Sequence, residues 1–321
     1  MNEFAKVIDP VDPELIRSEL TEQVFLRTTR KASNSLFLFT GAQCPHTLRE
    51  IGRLREETFR AAGGGTGKEL DIDAYDTSDH PFMQLVVWDP DAQEIMAGYR
   101  VIICRDGARD EQGNLISPTS RLFQLSSSFV TDYMPFTIEL GRSFVHPNYQ
   151  QRNRARKGLF ALDNLWDGLG ALIALYPDMR YFFGKVTMYP QYDRSSRNIL
   201  MSFMHHFFPD PDHLVTPHIP LIAMDEIQQY MHYWDGLDYK AAFAVLNKFI
   251  RERGENVPPL INTYMGISET MRVFGTAKNE AFGNVEETGI LVTIPDIFDS
   301  VKSRHVENFN EYRTYQGLYP A

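Results

Sequence analysis

Cysteine is nearly absent. The 321 residues contain two, Cys44 and Cys104, too far apart for any metal-ligand spacing. That excludes a disulfide-built scaffold and points to a reducing compartment. No apolar run approaches the ~18 residues of a membrane span. The opening Met-Asn-Glu-Phe-Ala-Lys has no basic stretch followed by an apolar one, so no signal peptide is expected. Positive charge is in deficit, and a net charge of −10 disfavours wholesale nucleic-acid binding. There is no His-Glu-x-x-His and no close Cys pair, and the adjacent His205 and His206 diverge on a helix. No metal is therefore expected. Ser126-Ser-Ser128 lacks the glycine frame of a nucleophile turn. Internal repeats and low-complexity segments are missing as well. A cytoplasmic protein is the expectation, and its 43% hydrophobic and 12% aromatic content can fill one large domain or two small ones.

What is present is an alternation of strand-like and helix-like segments. Residues 35–40, 82–88, 95–104, 136–145 and 180–188 read as strands, being apolar and rich in β-branched or aromatic residues. Residues 46–60 place Leu48, Ile51, Leu54, Arg55 and Phe59 near one helical face. Residues 155–175, 194–207 and 238–252 also read as helices, and 271–274 and 289–294 return to strand character. The polar segment 1–22, with its two Asp-Pro steps, is expected to wrap the surface. Helices and strands mix without strict βαβ spacing, which predicts an α/β or α+β fold on a mixed sheet. The expected division is an N-terminal arm at 1–44, a core at 45–209, and a C-terminal extension at 210–321 packed on that core.

Glu139-Leu-Gly-Arg142 stands out within the apolar run 136–145. Residues three apart on a regular strand face opposite sides. A bulge at Gly141 would re-aim Arg142 toward the face of Glu139. Two readings stand: a structural ion pair or a working site. Upstream, Asp71 and Asp73 would share one strand face and Asp76 follows, a cluster able to hold a cation such as a protonated amine or simply to be solvated. Downstream, Arg152, Arg154, Arg156 and Lys157 concentrate basic charge where a helix begins. That suits an anion, because free N–H groups and the helix dipole point the same way. A solvated charge run is the other reading. Gly63 to Lys68 imitates a phosphate loop but has Ala62 where Gly is needed and Glu69 where Ser or Thr is needed.

Taken in order, these segments resemble the GNAT-fold acyltransferases, and most closely the branch of ornithine-lipid and glycine-lipid N-acyltransferases often labelled hemolysin-like. The acyl-homoserine-lactone synthases are more distantly similar. Arg55 and Phe59 resemble the family's Arg-x-x-x-Phe helix. Asp73-Ala-Tyr-Asp76 resembles its Asp-x-x-Asp, and Gly98-Tyr-Arg100 its Gly-x-Arg. Glu139 to His146 resembles the Glu-Leu-Gly-Arg-Ser-x-Val-His signature, with Phe144 where that branch commonly has Cys. Val257 to Tyr264 and Phe282 to Thr293 resemble its C-terminal segment. The cofactor loop departs from the family pattern, having basic residues and a single glycine, Gly158.

The resemblance implies a GNAT-like sheet whose fourth and fifth strands, at 136–145 and 180–188, splay around a pantetheine arm. It implies transfer of a 3-hydroxy fatty acyl group to the α-amine of an amino acid such as glycine or ornithine. The donor would be the phosphopantetheine of an acyl carrier protein, or a CoA thioester. Glu139 would be the base, directly or through a water, and Arg100 or Arg142 would grip the acceptor carboxylate or hold Glu139 in place. Arg55, Phe59, Asp73, Asp76 and Phe144 would bind substrate. Val145, His146, Arg152, Arg154, Arg156, Lys157 and Gly158 would bind the cofactor. Tyr181, Phe182, Phe183, Met188, Phe203 and Phe207 offer walls for an acyl chain. Transient contact with a membrane surface would suit a lipid product, and a location peripheral to the inner membrane goes with it. The alternatives are a small-amine acetyltransferase using acetyl-CoA and a non-catalytic binding protein of the same fold. A pore-forming toxin is disfavoured by the lack of an amphipathic pore segment.

Overall fold

A computed structural model describes residues 4–150, 155–221, 224–307 and 309, with backbone alone at 155–159 and 224–225. In chain order the helices are α1 (Pro13–Glu19), α2 (Pro45–Ala61), α3 (Ala74–Thr77), α4 (Pro147–Gln150), α5 (Ala155–Leu175), α6 (Arg194–Phe207), α7 (Met224–Gln228), α8 (Tyr239–Arg251), α9 (Pro259–Met265) and α10 (Asp299–Lys302). The strands are β1 (Phe25–Thr28), β2 (Ser35–Phe39), β3 (Met83–Asp89), β4 (Glu94–Ile103), β5 (Phe123–Leu125), β6 (Thr137–Val145), β7 (Tyr181–Met188), β8 (Val215–Pro217), β9 (Arg272–Asn279) and β10 (Val285–Thr293).

Eight strands form one sheet in the order β1-β2-β3-β4-β6-β7-β10-β9. Every neighbouring pair is antiparallel except β6 and β7. A parallel pair needs a crossover, and α5 lies in that connection. The main core gathers residues of α5, α6, α8 and α9 against one face of the sheet. α1 and α2 cover part of the other face, and the small β5-β8 pair covers the rest. The result is the expected mixed α/β architecture on a GNAT-like sheet.

The sheet divides at β6 and β7. Their register runs from Thr137↔Tyr181 to Leu140↔Gly184 and stops. β7 pairs with β10 along its whole length, from Tyr181↔Thr293 to Met188↔Glu286. The far halves of β6 and β7 therefore separate while each stays in its own half-sheet. Gly184 sits where they part. A Cβ there would lie 2.5 Å from the Leu140 carbonyl oxygen, which backbone cannot easily yield. Gly184→Ala is expected to lower stability by about 1–3 kcal/mol. The check is a lower urea midpoint at unchanged m.

Two local expectations change. Segment 1–22 is not only a surface wrap. Asp12 accepts from the Glu14 N–H at 2.9 Å and caps α1, Pro13 fills its first turn, and Ile16 is buried. Glu19 then caps α2, accepting from the N–H groups of His46 and Thr47 at 2.9 and 2.8 Å. The residues after 209 do more than pack on the core, because β9 and β10 complete its sheet.

Candidate active site

The β4–β6 register pairs Arg100 with Gly141 and Gly98 with Phe144. Arg142 and Ser143 thus stand against Tyr99 alone, which is a bulge. It falls one residue later than expected. Gly141 keeps its partner, and Arg142 takes the left-handed conformation at φ +50°. A bulky residue there costs on the order of 1–3 kcal/mol unless its surroundings hold it. Arg142 is held by a 2.7 Å ion pair from Nε to Asp71 and by the Phe282 ring, 4.0 Å from its guanidinium carbon. It does not turn to Glu139.

The acidic segment is not a strand, so Asp71 and Asp73 share no strand face. Asp73 caps the one-turn helix α3, and Asp73 and Asp76 form a reciprocal capping box. The segment lies close against α2 at Gly52, where a Cβ would meet Ile72 at 2.6 Å. Its carboxylates meet three arginines. Arg55 Nη1 lies 3.2 Å from Asp76, and its Nη2 donates to Gln84 at 2.5 Å. Arg100 Nη1 reaches Asp73 at 2.7 Å and Asp76 at 3.1 Å. Arg55, Arg100 and Asp76 are all fully buried. Burial pushes the Asp76 carboxyl up, but Arg55 and Arg100 outweigh it and hold it below its ordinary value. Burial likewise opposes the Arg100 cation, and Asp76 and Asp73 more than offset it.

Glu139 is also buried, at 2% exposure. Its Oε1 accepts from the Thr119 hydroxyl at 2.6 Å and the Thr119 N–H at 3.2 Å. Its Oε2 has no hydrogen-bond partner among the described residues. No described arginine pairs with it, so the structural ion pair with Arg142 does not form. Cys104 lies nearby with its thiol pushed well up by burial and then by Glu139. The Cys44 thiol is pushed up to about 11 by burial and then Glu19. Neither offers a thiolate at neutral pH.

Where β6 and β7 part there is a cavity of about 770 Å³ that passes through the sheet. On one side its walls are apolar: Leu140, Leu162, Phe182, Val186, Ile261, Ile290 and Val292, with Leu260 and the buried Tyr99 and Tyr264, whose hydroxyls lie 3.2 Å apart. On the other side the lining carries Arg100, Glu139, Arg142, Lys185 and Glu287. Lys185 Nζ lies 3.2 Å from Glu287. The Tyr189 phenol beside them is pushed up to about 12 by burial and then Glu287, and drawn down by Arg142.

The expected site residues sort by this cavity. Glu139, Arg142, Arg100, Phe59, Phe144 and Val145 line it. Asp73 and Asp76 lie outside the lining and hold Arg100. Arg55 is outside it too, sealed against Asp76 and Gln84. His146 is outside the lining, its Nδ1 accepting from the Asn148 N–H at 3.0 Å and its basicity lowered by burial. Arg152 and Arg154 fall outside the described residues. Arg156, Lys157 and Gly158 begin α5, and only their backbone is described. Phe182 and Phe183 line the cavity, but Phe203 and Phe207 pack on Tyr239 in the helical core, and Tyr181 and Met188 are also away from the lining. Sequence reasoning missed Tyr99, Leu162, Tyr264, Lys185 and Glu287. Tyr99, Tyr264 and Glu287 stood inside segments already singled out.

The glycine-rich loop is spoken for by protein. Glu56 accepts from the Thr66 N–H at 2.9 Å and the Gly67 N–H at 2.7 Å, so those donors are not free for a phosphate. Among the described residues no three His, Cys, Asp or Glu side chains are grouped to hold a metal ion.

Comparison with known proteins adds the chemistry. Residues 54–158 match the family described as Acetyltransferase (GNAT) domain. A glycine N(alpha)-acyltransferase of Bacteroides thetaiotaomicron is 49% identical over 306 residues, covering 95% of this chain and 91% of that protein. The chain belongs to the GNAT acyltransferases. A second protein of the same name, from Phocaeicola vulgatus, is 46% identical over 304 residues, covering 95% of this chain and 93% of that one. No solved structure matches. The chain is thus an N-acyltransferase, and an acyltransferase of this family joins an acyl thioester to an amine. No described helix is long and apolar enough to cross a membrane.

Proposed function

We propose that this acyltransferase moves a fatty acyl group from a phosphopantetheine thioester to the α-amine of glycine, as the first step toward an amino-acid lipid. One observation carries the reading: the cavity at the split is apolar on one side of the sheet and charged on the other. The volume lies within the ~300–1,000 Å³ of small-molecule sites. The apolar side suits an alkyl chain, and its walls extend further than an acetyl group needs. The charged side suits a zwitterionic acceptor. Glycine is preferred to ornithine because both relatives carry glycine in their names. The likeness to the lipid-forming branch supports a 3-hydroxyacyl chain.

In this mechanism the thioester lies along the edge of β6 that β7 leaves open, between Gly141 and Val145. Main-chain N–H groups on that edge would donate to the carbonyl oxygen as it becomes an oxyanion. Glu139, with one carboxylate oxygen fixed by Thr119, takes the proton that the attacking ammonium must lose. The freed amine attacks, the C–N bond forms and the C–S bond breaks. The second proton that the nitrogen loses neutralises the leaving thiolate, and Glu139 returns its own proton to solvent. Arg142 and Arg100 would set the field on the acceptor side. Val145, His146, Arg152, Arg154, Arg156, Lys157 and Gly158 would receive the donor's phosphate, the last three from the first turn of α5. An acidic carrier protein would be steered by the same basic residues. The lipid product would bring the enzyme into transient contact with a membrane surface.

The test is a panel of acetyl to palmitoyl donors, on CoA and on acyl carrier protein, against glycine, ornithine and simple amines, read by mass spectrometry. Long-chain acylglycine is the expected product. Efficient acetyl transfer with no long-chain product would favour the small-amine acetyltransferase instead. Leu260 is half-buried at the apolar end, so Leu260→Trp is expected to shift the preferred donor to shorter chains. Acetyl transfer should be unchanged in the same assay.

A further inference from the structure

We infer that Lys185, held by Glu287, reads the carboxylate of the acceptor and so selects an amino acid over a plain amine. This rests on the amino-acid acceptor proposed above and adds the residue that recognises it.

Position comes first. Gly184 is the last β7 residue paired with β6, so Lys185 is the first beyond the fork. Side chains alternate along a strand, which puts Lys185 on the face of Phe183. Phe183 is the register partner of Glu139. The Lys185 ammonium and the Glu139 carboxylate therefore flank the split on one face, and both line the cavity. One small zwitterion placed there would offer its ammonium to Glu139 and its carboxylate to Lys185.

Availability comes second. Arg55 is sealed by Asp76 and Gln84. Arg100 is spent on Asp73 and Asp76. Arg142 is ion-paired through Nε with Asp71 at 2.7 Å, has Asp73 4.0 Å from its Nη2, and stacks on Phe282. Lys185 carries three N–H donors and has one ion-pair partner among the described residues, Glu287 at 3.2 Å. Glu287 is buried and anchored through its other oxygen, which accepts from Asn279 at 3.3 Å. The lysine is thus pinned by one contact with donors to spare, and its side chain keeps 12% exposure.

Chemistry decides what it meets. The donor's phosphate lies a whole pantetheine arm from its thioester, so a cation at the fork does not face it. The acyl chain is apolar. The acceptor's carboxylate is the anion that must lie within a few bonds of the reacting nitrogen. A site built to pair with a polar group also rejects the analogue lacking it.

The experiment compares glycine with glycinamide, which keeps the amine and loses the negative charge, using one donor. The native enzyme should favour glycine. Lys185→Met should lower kcat/KM for glycine by about 10- to 100-fold, as expected for a lost charge-assisted hydrogen bond. The loss should fall mainly on the glycine KM, leave the donor KM in place, and change glycinamide less than about 3-fold. Lys185→Arg should restore most of the preference. If Lys185→Met does not fold, Lys185→Met with Glu287→Met removes both charges of the pair, a change that is often neutral for stability. Equal losses for glycine and glycinamide, or no loss for either, would overturn the assignment. If the native enzyme acylates neither amine with any donor, the proposed reaction itself fails, and this assignment falls with it.

Discussion

Glu139→Gln is expected to lower kcat by about 10²–10⁴-fold, the usual contribution of a positioned base. Stability should fall by about 1 kcal/mol, the centre of the range for single substitutions. The amide oxygen can still accept from the Thr119 hydroxyl and N–H that now fix Oε1. The amide nitrogen would take the place of Oε2, which no described residue hydrogen-bonds, so no buried ion pair is broken. The measurement is single-turnover acyl transfer at saturating glycine, beside a thermal melt. A variant that keeps native kcat would remove Glu139 from the mechanism. A variant that unfolds would make the carboxylate structural after all.

Asp76→Ala should produce the largest loss of stability, about 3–5 kcal/mol. Removing that carboxylate leaves Arg55 and Arg100 buried with too little negative charge, and it also strips acceptors from Gln84 and the Asp73 N–H. Against total stabilities of about 5–15 kcal/mol, many molecules would be unfolded at 37 °C. The pH dependence has a fixed sign. The Asp76 carboxyl sits below its ordinary value in the folded state. Its contribution is therefore complete above the unfolded pKa, roughly 4, and is lost as pH falls through the lower folded value. Urea midpoints from pH 7 down to pH 3 should fall for the native protein, and this component of the slope should be missing in Asp76→Ala. An unchanged midpoint at pH 7 would show that the cluster contributes little to folding.

Seven of the sheet's eight strands were readable because they are apolar and bounded by clear turn residues; the four-residue edge strand β1 was too short to show a pattern. The helix α2 was readable from the spacing of Leu48, Ile51, Leu54 and Phe59. The kink was readable from Gly141 among strand residues, but not its register, because Arg142 takes its strained φ only to reach Asp71, seventy-one positions upstream. The same distance in sequence hid the true partners of the aspartates. Asp71, Asp73 and Asp76 read as an acidic patch, and nothing local says that Arg55, Arg100 and Arg142 fold onto them. Lys185 and Glu287 were invisible for a related reason. Each is an ordinary charge in a strand until β10 is laid beside β7. The aromatic side chains erred in the other direction: Phe203 and Phe207 have the right chemistry for an acyl wall, but α8 covers them.

The most direct test of the central claim is a crystal structure with a non-reactive acyl thioether of pantetheine, in which a methylene replaces the bond to be broken. The sulfur should lie between the open edge of β6 at Gly141–Val145 and β7 just beyond Gly184. The alkyl chain should enter the apolar side toward Leu162 and Tyr264, with the reacting carbon facing Glu139. A ligand bound elsewhere, with the split between β6 and β7 filled by protein side chains, would contradict the account.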